Sequence, residues 1–314
     1  MGIKTTMNWL AISTVAYFLL ALEVVLDKFL LSSKRVSHPA IYTFYAGTLG
    51  LFVLVFIPFG VHVLGYSDIL FRFIAGAIFI YGMFSLFSAI NKSEASRVIP
   101  VTGAVVPILA LFLSAIFLNE HLKNEQMIGV LFLVFGGLWI SYDLTSTKKF
   151  KLFNGFYWSI LAGTLLAISA VVIKGFYNHD NFINVFVWTR IGAFLGVLSF
   201  FLVPAWRKVI FSSIFKFKKP EREHKSSGLL FVLTRVIGGS GSILKEYATS
   251  LILASVTIVN AIVAIEYVFV LILGVLFSLW FPHFFEEKKD LKSVIQKILA
   301  IFLIAVGLFL VAKK

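Results

Sequence analysis

Residues 95–120, ASRVIPVTGAVVPILALFLSAIFLNE, form an apolar run that ends in an acidic turn at Asn119-Glu120. A second run with the same order of features begins at Ala254-Ser255 and is followed by Glu286-Glu287. After each acidic turn comes another apolar run with a Gly-Leu pair near its end, at Gly137-Leu138 and at Gly307-Leu308. Because an internal repeat determines the whole fold, we predict two related halves, residues 1–147 and 148–314.

The composition indicates an integral membrane protein. Hydrophobic residues make up 60% of the 314-residue chain, charged residues make up 14%, and the mean hydropathy is +0.97. These values are untypical of soluble globular domains. The absence of Cys excludes disulfides and thiolate metal sites. The net charge of +13 comes mostly from Lys and Arg in short loops, where they meet lipid headgroups. Membrane lipids are therefore an expected partner, and nucleic acid is not.

Ten apolar runs have about the 20 residues that a helix needs to cross a bilayer. We predict spans at about residues 9–31, 41–63, 70–90, 95–118 and 127–142, and again at about 153–177, 182–203, 229–249, 252–280 and 294–311. The first run carries Glu23 and Asp27 where a signal peptide would have a cleavage site of small residues, so we expect it to be retained. Residues 207–227 are expected to be a disordered surface loop. The predicted fold class is all-α, integral membrane and multi-pass.

The repeat extends beyond the opening segment. Leu20-Ala21-Leu22 followed by Lys28 corresponds to Leu166-Ala167-Ile168 followed by Lys174, and Gly82 corresponds to Gly241. With five spans in each half, the second half enters the membrane from the opposite side, so the repeats are predicted to be inverted. Inverted repeats with helices interrupted near the midplane recur in secondary transporters. The predicted interruptions are at Pro100, Gly103, Pro107 and Asn260.

Taken in order, the Ala-Ser starts, the spans with Pro107 or Glu266, the acidic turn and the Gly-Leu pairs resemble the EamA-type drug/metabolite transporter superfamily. The resemblance covers nearly the whole chain. It implies a ten-span secondary transporter of the cell inner membrane that moves a small metabolite or drug by alternating access, often as efflux, without a cofactor. The superfamily often has Glu-Pro in the middle of spans four and nine, whereas this chain has Val106-Pro107 and Glu266-Tyr267. Each half keeps one member of that pair.

Ionisable residues inside spans are the candidates for a substrate and ion pathway, since each costs about 2.5–3.5 kcal/mol at a helix centre. Their near balance of acids and bases favours pairing around a polar cavity. They are Glu23, Asp27, Lys28, Lys174, Arg190, Arg235, Lys245, Glu246 and Glu266. The lysines lie toward span ends, where they either snorkel to the headgroups or act in the pathway. Lys28 and Lys174 occupy matching places in the repeat and are predicted to act as a pair.

Three aromatic residues complete the predicted pathway, and one of its acids is a candidate proton carrier. Tyr45, Trp188 and Tyr267 either stack on a planar or cationic substrate or simply pack and anchor the spans. Glu266 is the candidate proton carrier, with Glu23 second. The alternative is that Arg190 or Arg235 holds Glu266 in a structural ion pair.

Other chemistries have less support in the sequence. Gly238-Gly239-Ser240-Gly241 lies inside a span and indicates close helix packing rather than a phosphate loop. The His residues fall in loops or at span ends with no two at ligand spacing, so no metal site is expected. A membrane-embedded enzyme and a non-transporting scaffold stay open as alternatives. Polar residues scattered over several spans favour a transporter of a small molecule, with the proton as a candidate coupling ion.

Loop charges and the resemblance disagree about the orientation of the chain. Lys and Arg are concentrated in the loops on the side opposite the termini, and positively charged loops stay in the cytoplasm. This bias predicts that both termini face outward, whereas the resemblance implies cytoplasmic termini. We follow the charge bias.

Overall fold

The computed structural model describes residues 2–30, 38–92, 95–141, 154–215, 225–251, 254–280 and 291–312. These residues form helices joined by turns and short loops, and no strand occurs among them. The helices are α1 (Gly2–Leu30), α2 (Pro39–Leu49), α3 (Tyr66–Lys92), α4 (Ala95–Phe117), α5 (Asn124–Ser141), α6 (Phe156–Tyr177), α7 (Phe182–Leu198), α8 (Pro204–Phe215), α9 (Lys225–Ser250), α10 (Val256–Ala261), α11 (Val263–Trp280) and α12 (Leu291–Ala312). Two 3-10 segments, Gly50–Phe59 and Ser199–Leu202, continue α2 and α7.

Six helical segments among the described residues are long and apolar enough to cross a membrane. They are Trp9–Leu26, Pro39–Phe59, Tyr66–Lys92, Phe156–Tyr177, Phe182–Leu202 and Val256–Gly274. Shorter apolar helices occupy Val101–Phe117, Asn124–Trp139 and Ile298–Val311. The predicted all-helical membrane fold is therefore confirmed at this level. The full set of ten spans in an inverted repeat stays a prediction.

Backbone packing divides the chain into two compact units, and each unit takes helices from both halves of the sequence. Unit 1 comprises Met1–Arg35, His121–Lys151 and Pro220–Lys314, and unit 2 comprises Val36–Glu120 and Leu152–Lys219. Unit 1 therefore contains α1, α5 and α9 to α12, and unit 2 contains α2 to α4 and α6 to α8. The predicted boundary at residues 147/148 concerns the sequence repeat, which need not coincide with a packing unit, and it stays a prediction.

One set of three neighbouring helices packs in a similar way in each unit. In unit 1, α1 packs along α9 and α11, and in unit 2, α6 packs along α3 and α4. A Cβ added at Gly241 would lie 3.1 Å from side-chain atoms of Leu19 and Leu20. A Cβ added at Gly82 would lie 3.0 to 3.3 Å from side-chain atoms of Leu165 and Leu166, which are the repeat equivalents of those leucines. The packing inside each unit therefore supports the repeat that the sequence indicated.

Glycines set the closest helix approaches. A Cβ at Gly129 of α5 would lie 2.9 Å from the carbonyl oxygen of Gly307 in α12, and a Cβ at Gly307 would lie 2.9 Å from that of Gly129. In unit 2, a Cβ at Gly76 would overlap the backbone of α7 at Thr189, and a Cβ at Gly192 would overlap the backbone of α3 at Phe73. Small residues of this kind let helices pack closely in lipid, where there is no hydrophobic force between helices.

The predicted interruption of span four is wrong. Pro100, Gly103 and Pro107 all lie within α4, which is an uninterrupted helix from Ala95 to Phe117. Each proline removes one backbone donor, but neighbouring groups in membrane proteins commonly compensate for that loss. In span nine, by contrast, α10 ends at Ala261 and α11 begins at Val263. Asn260 lies next to this interruption.

The acidic turn after α4 is a helix cap. Asn119 has φ 51°, in the left-handed region, and the Glu120 amide donates to the Ser114 carbonyl at 3.1 Å. A residue with a left-handed backbone just after the last helical turn is a common way for a helix to end, and Asn is the usual alternative to Gly there. The equivalent turn at Glu286-Glu287 lies outside the described residues.

Part of the predicted disordered loop at residues 207–227 is helical. Pro204–Phe215 forms α8, and its Trp206, Ile210 and Ile214 side chains pack into a cluster with Phe84 and Phe200. Spacing of four residues places these three side chains on one helix face. Polar and basic residues on the opposite face made the segment look like a loop. Residues 216–224 lie outside the described residues.

Candidate functional site

A cluster of charged side chains lies on α1, α9 and α11 of unit 1. The Arg235 Nη1 atom of α9 lies 2.9 Å from the Glu23 Oε1 atom of α1. A Cβ at Gly238 would overlap the Glu23 carboxyl group, so this glycine leaves the space that the carboxylate occupies. The Glu23 side chain is 20% exposed and that of Arg235 is 35% exposed. The ion pair therefore joins two helices and keeps partial access to its surroundings.

Glu266 and Tyr267 bring α11 to this cluster. Lys245 and Glu23 both act electrostatically on Glu266, with opposite sign. Tyr267 packs against Gly137 of α5, where a Cβ would lie 3.1 Å from the tyrosine ring. The half-buried Glu266 side chain thus lies among charges contributed by α1 and α9.

Tyr17 of α1 lies in the same region and was not among the predicted residues. Its side chain is 1% exposed, and its hydroxyl donates to the Val259 carbonyl at 2.8 Å. The Lys245 Nζ atom lies 5.9 Å from the centroid of the Tyr17 ring. Glu246, Glu266 and Tyr267 act electrostatically on the Tyr17 hydroxyl. We refer to Tyr17, Glu23, Arg235, Lys245, Glu246, Glu266 and Tyr267 as the unit 1 charge cluster.

The structure therefore brings together six of the predicted residues on three helices of one unit: Glu23, Arg235, Lys245, Glu246, Glu266 and Tyr267. The acid that lies 2.9 Å from Arg235 is Glu23, and the suggested pairing of Glu266 with Arg190 or Arg235 stays a prediction. Asp27 and Lys28 lie in α1, but their side chains are outside the described part of the chain.

The remaining predicted residues belong to unit 2. Lys174 of α6 is buried, with 3% exposure, and Glu120 acts electrostatically on it. The Arg190 guanidinium lies 4.8 Å and 5.0 Å from the ring centroids of Phe79 and Phe186, respectively. The Tyr45 hydroxyl lies 3.3 Å from the Ser213 hydroxyl. Both side chains thus contact neighbours inside unit 2, and their place in a substrate pathway stays a prediction.

Trp188 belongs to a polar network in unit 2 that the sequence analysis missed. Its Nε1 donates to the His62 carbonyl at 3.2 Å. Asp180, in the turn between α6 and α7, lies 2.8 Å from Arg72 Nη2 and accepts from Asn184 Nδ2 at 2.6 Å. Burial alone would raise the pKa of Asp180, but hydrogen bonds from Asn184, Arg72 and the Asn181 amide hold that pKa below its usual range. The network ties the turn to α3 and to the segment after α2.

The sequence around Arg72 and Asp180 gives little indication of this network. Arg72 and Asp180 lie near span ends, where charges usually just face the headgroups. Asn181 precedes α7 and its side chain accepts from the Asn184 amide at 2.8 Å, an N-cap that the sequence does display. The cap predicts the start of a helix, but it does not predict the partner on α3.

The predicted repeat allows the unit 1 charge cluster to be compared with the corresponding positions of unit 2. Since Leu20 corresponds to Leu166, Glu23 corresponds to Ser169, whose hydroxyl donates to the Ala75 carbonyl at 3.1 Å. Since Gly241 corresponds to Gly82, Arg235 corresponds to Gly76. Unit 2 therefore packs the equivalent three helices without the acid and base that unit 1 has at these places. This difference makes Glu23 and Arg235 candidates for a function that unit 2 does not share at the corresponding positions.

The helices and the intramembrane charges together define an all-helical integral membrane protein. Within that class, residues 7–142 match the EamA-like transporter family, whose members are drug/metabolite transporters. The resemblance drawn from the sequence is thus confirmed for residues 7–142, which are similar to this family.

A solved crystal structure is similar in fold along almost the entire chain. The similarity covers 96% of this chain and 96% of that one, with a TM-score of 0.66 and 16% sequence identity. At that identity the likeness concerns the fold alone. No curated protein matches the chain in sequence.

Proposed function

We propose that the protein is a secondary transporter that moves a small metabolite or drug across the cell inner membrane by alternating access, with export as the working direction. The unit 1 charge cluster is the substrate and ion pathway in this proposal. The observation that carries it is the pairing of Glu23 with Arg235 at 2.9 Å, at a place where the equivalent helices of unit 2 have Ser169 and Gly76. Charges inside membrane spans are costly and typically functional.

Glu266 is the proposed proton carrier. Glu23 is already engaged with Arg235 at 2.9 Å, so Glu266 is the better candidate for a carboxyl group that gains and loses a proton during the cycle. The two charges that act on Glu266, those of Lys245 and Glu23, oppose each other. An opposite charge favours the ionised carboxyl group and a like charge favours the protonated one, so a movement of either neighbour shifts the protonation of Glu266.

The test is transport into proteoliposomes with an imposed pH gradient. The probe is a uniformly isotope-labelled metabolite extract, and the compounds that enter the lumen are identified by mass spectrometry. We expect the native protein to accumulate particular compounds only when the gradient is present, and Glu266→Gln to lose this dependence. Glu125→Gln, which changes an exposed acid in the first turn of α5, is the matched control and should behave like the native protein. Native transport that ignores the gradient, or full gradient dependence in Glu266→Gln, contradicts the coupling.

A further inference from the structure

The interruption between α10 and α11 leaves backbone groups to be satisfied inside the membrane. In a regular helix the Val259 carbonyl accepts from the amide four residues later, that of Val263. Here α10 ends at Ala261, and the Ile262 amide bonds back to Ile258 at 3.0 Å while Ile265 bonds to Ile262 at 2.8 Å. The regular series of backbone hydrogen bonds between residues four apart is therefore interrupted at Ile262. The Val259 carbonyl lies at this interruption.

The Tyr17 hydroxyl replaces the missing donor. It comes from α1 and donates to the Val259 carbonyl at 2.8 Å, and the tyrosine is 1% exposed. Non-helical backbone at membrane depth persists only where other protein groups satisfy it. The Tyr17 hydroxyl thus stabilises the backbone just before the start of α11, the helix that contains Glu266 and Tyr267.

The same side chain is surrounded by the ionisable groups of the unit 1 charge cluster. Lys245 Nζ lies 5.9 Å from the Tyr17 ring centroid, and Glu246 of α9 and Glu266 and Tyr267 of α11 act on the hydroxyl. On α1 itself, Glu23 lies two turns along the helix and pairs with Arg235. Tyr17 therefore contacts the helix interruption directly and lies near the charges that the proposed function requires.

We propose that Tyr17 is a positioning residue whose hydroxyl bond to the Val259 carbonyl fixes the α10–α11 interruption and thereby the position of Glu266. This inference rests on the proposed function for its effect on transport. The contact between Tyr17 and the interruption can be tested independently of transport.

The first measurement is amide hydrogen exchange of the full-length protein in detergent, followed in peptides that cover residues 256–266. We expect Tyr17→Phe to speed exchange in these peptides roughly tenfold, because it removes one buried hydrogen bond and leaves the ring in place. Tyr157→Phe is the matched control, since Tyr157 is 75% exposed on α6 in unit 2. Unchanged exchange in Tyr17→Phe overturns the proposal.

The second measurement is the pH profile of gradient-driven uptake, with the labelled metabolite extract as the probe. We expect Tyr17→Phe to shift the profile and lower coupling to the gradient, while Tyr157→Phe keeps the native profile. A native profile in Tyr17→Phe overturns the positioning role and leaves the transporter proposal intact. A native protein that ignores the gradient overturns the coupling through Glu266, and the exchange measurement then decides the Tyr17 contact alone.

Discussion

The carboxyl group of Glu23 in α1 occupies the space beside Gly238 in α9 that any larger residue would need. Arg235, three residues before Gly238 on the same helix, reaches this carboxyl group at 2.9 Å. The absence of a side chain at Gly238 therefore leaves the space that the Glu23 carboxyl group occupies. The next residue, Gly239, has nothing within 4 Å of an added Cβ.

These neighbouring glycines provide a matched pair of substitutions. Gly238→Ala forces the flexible end of Glu23 away from Arg235, so we expect the protein to fold but transport to fall about tenfold, equivalent to roughly 1.4 kcal/mol. Gly239→Ala should leave transport unchanged and stabilise α9 by up to about 1 kcal/mol. Uptake in proteoliposomes and thermal unfolding in detergent check both variants. Equal transport by the two variants would contradict the placement of Glu23.

The ion pair itself can be tested with a double-mutant cycle. Because Glu23 and Arg235 contact each other, Glu23→Gln and Arg235→Gln should each lower transport, and the double variant should be no worse than the more impaired single variant. Each single substitution should lower the free energy of unfolding by at most about 1 kcal/mol, because the ion pair is partly exposed. The measurement is uptake at matched protein amounts. Additive losses would mean that the two residues act separately.

The Arg72–Asp180 pair in unit 2 should contribute to stability rather than to transport. The two side chains are 7% and 11% exposed, and removing one partner of a buried pair typically costs about 3 kcal/mol or more. Asp180→Asn should therefore lower the thermal midpoint in detergent. Asp68→Asn, at an exposed acid in the first turn of α3, should have little effect. A midpoint in Asp180→Asn equal to the native one would show that the network is dispensable.

The same pair predicts a pH dependence of stability. The pKa of Asp180 is lower in the folded protein than in the unfolded chain. Its contribution is therefore complete above the ordinary Asp value of about 3.9 and is lost as the pH falls through the lower folded value. Thermal midpoints recorded from pH 7 downward should show an acid-induced decline that is smaller in Asp180→Asn. If the native protein and Asp180→Asn showed the same decline, the loss of stability in acid would come from other carboxyl groups.

The left-handed residue after α4 gives a prediction about the acidic turn. Asn119→Gly should keep or raise stability, since glycine accepts a positive φ without strain. Asn119→Val should lower stability by roughly 1–2 kcal/mol, because a side chain branched at Cβ is strained there. Thermal unfolding distinguishes the two outcomes. Equal loss in both variants would mean that the Asn119 side chain, rather than its backbone conformation, matters.

The helices were predictable from the sequence because their signal is local. A membrane helix must satisfy its own backbone hydrogen bonds in lipid, so a long apolar run is nearly sufficient to identify it. The run predicted at about residues 70–90 is α3, Tyr66–Lys92. The predicted break at Pro107 was wrong because the residue alone does not reveal whether neighbouring groups compensate for its missing donor.

The partners of the charged residues were not predictable from the sequence. Glu23 and Arg235 were both recognised as candidates, but their pairing depends on which face of α1 meets α9. Tyr17 looked like one of many aromatic residues in the spans, and only its contact with Val259 distinguishes it. Long-range helix packing therefore supplies the part of the site that residue type and spacing leave open.

The interleaving of the two sequence halves in the packing units affects the order in which the protein can assemble during synthesis. The last segment of unit 2 ends at Lys219, whereas unit 1 needs residues from Pro220 to the end of the chain. The ribosome makes α1 first, but its neighbours α9 and α11 begin only at Lys225 and Val263. Since domains generally fold as units during synthesis, α1 lies in the bilayer without α9 and α11 until unit 2 has been synthesised. The timing of its burial is then governed by insertion of the later helices.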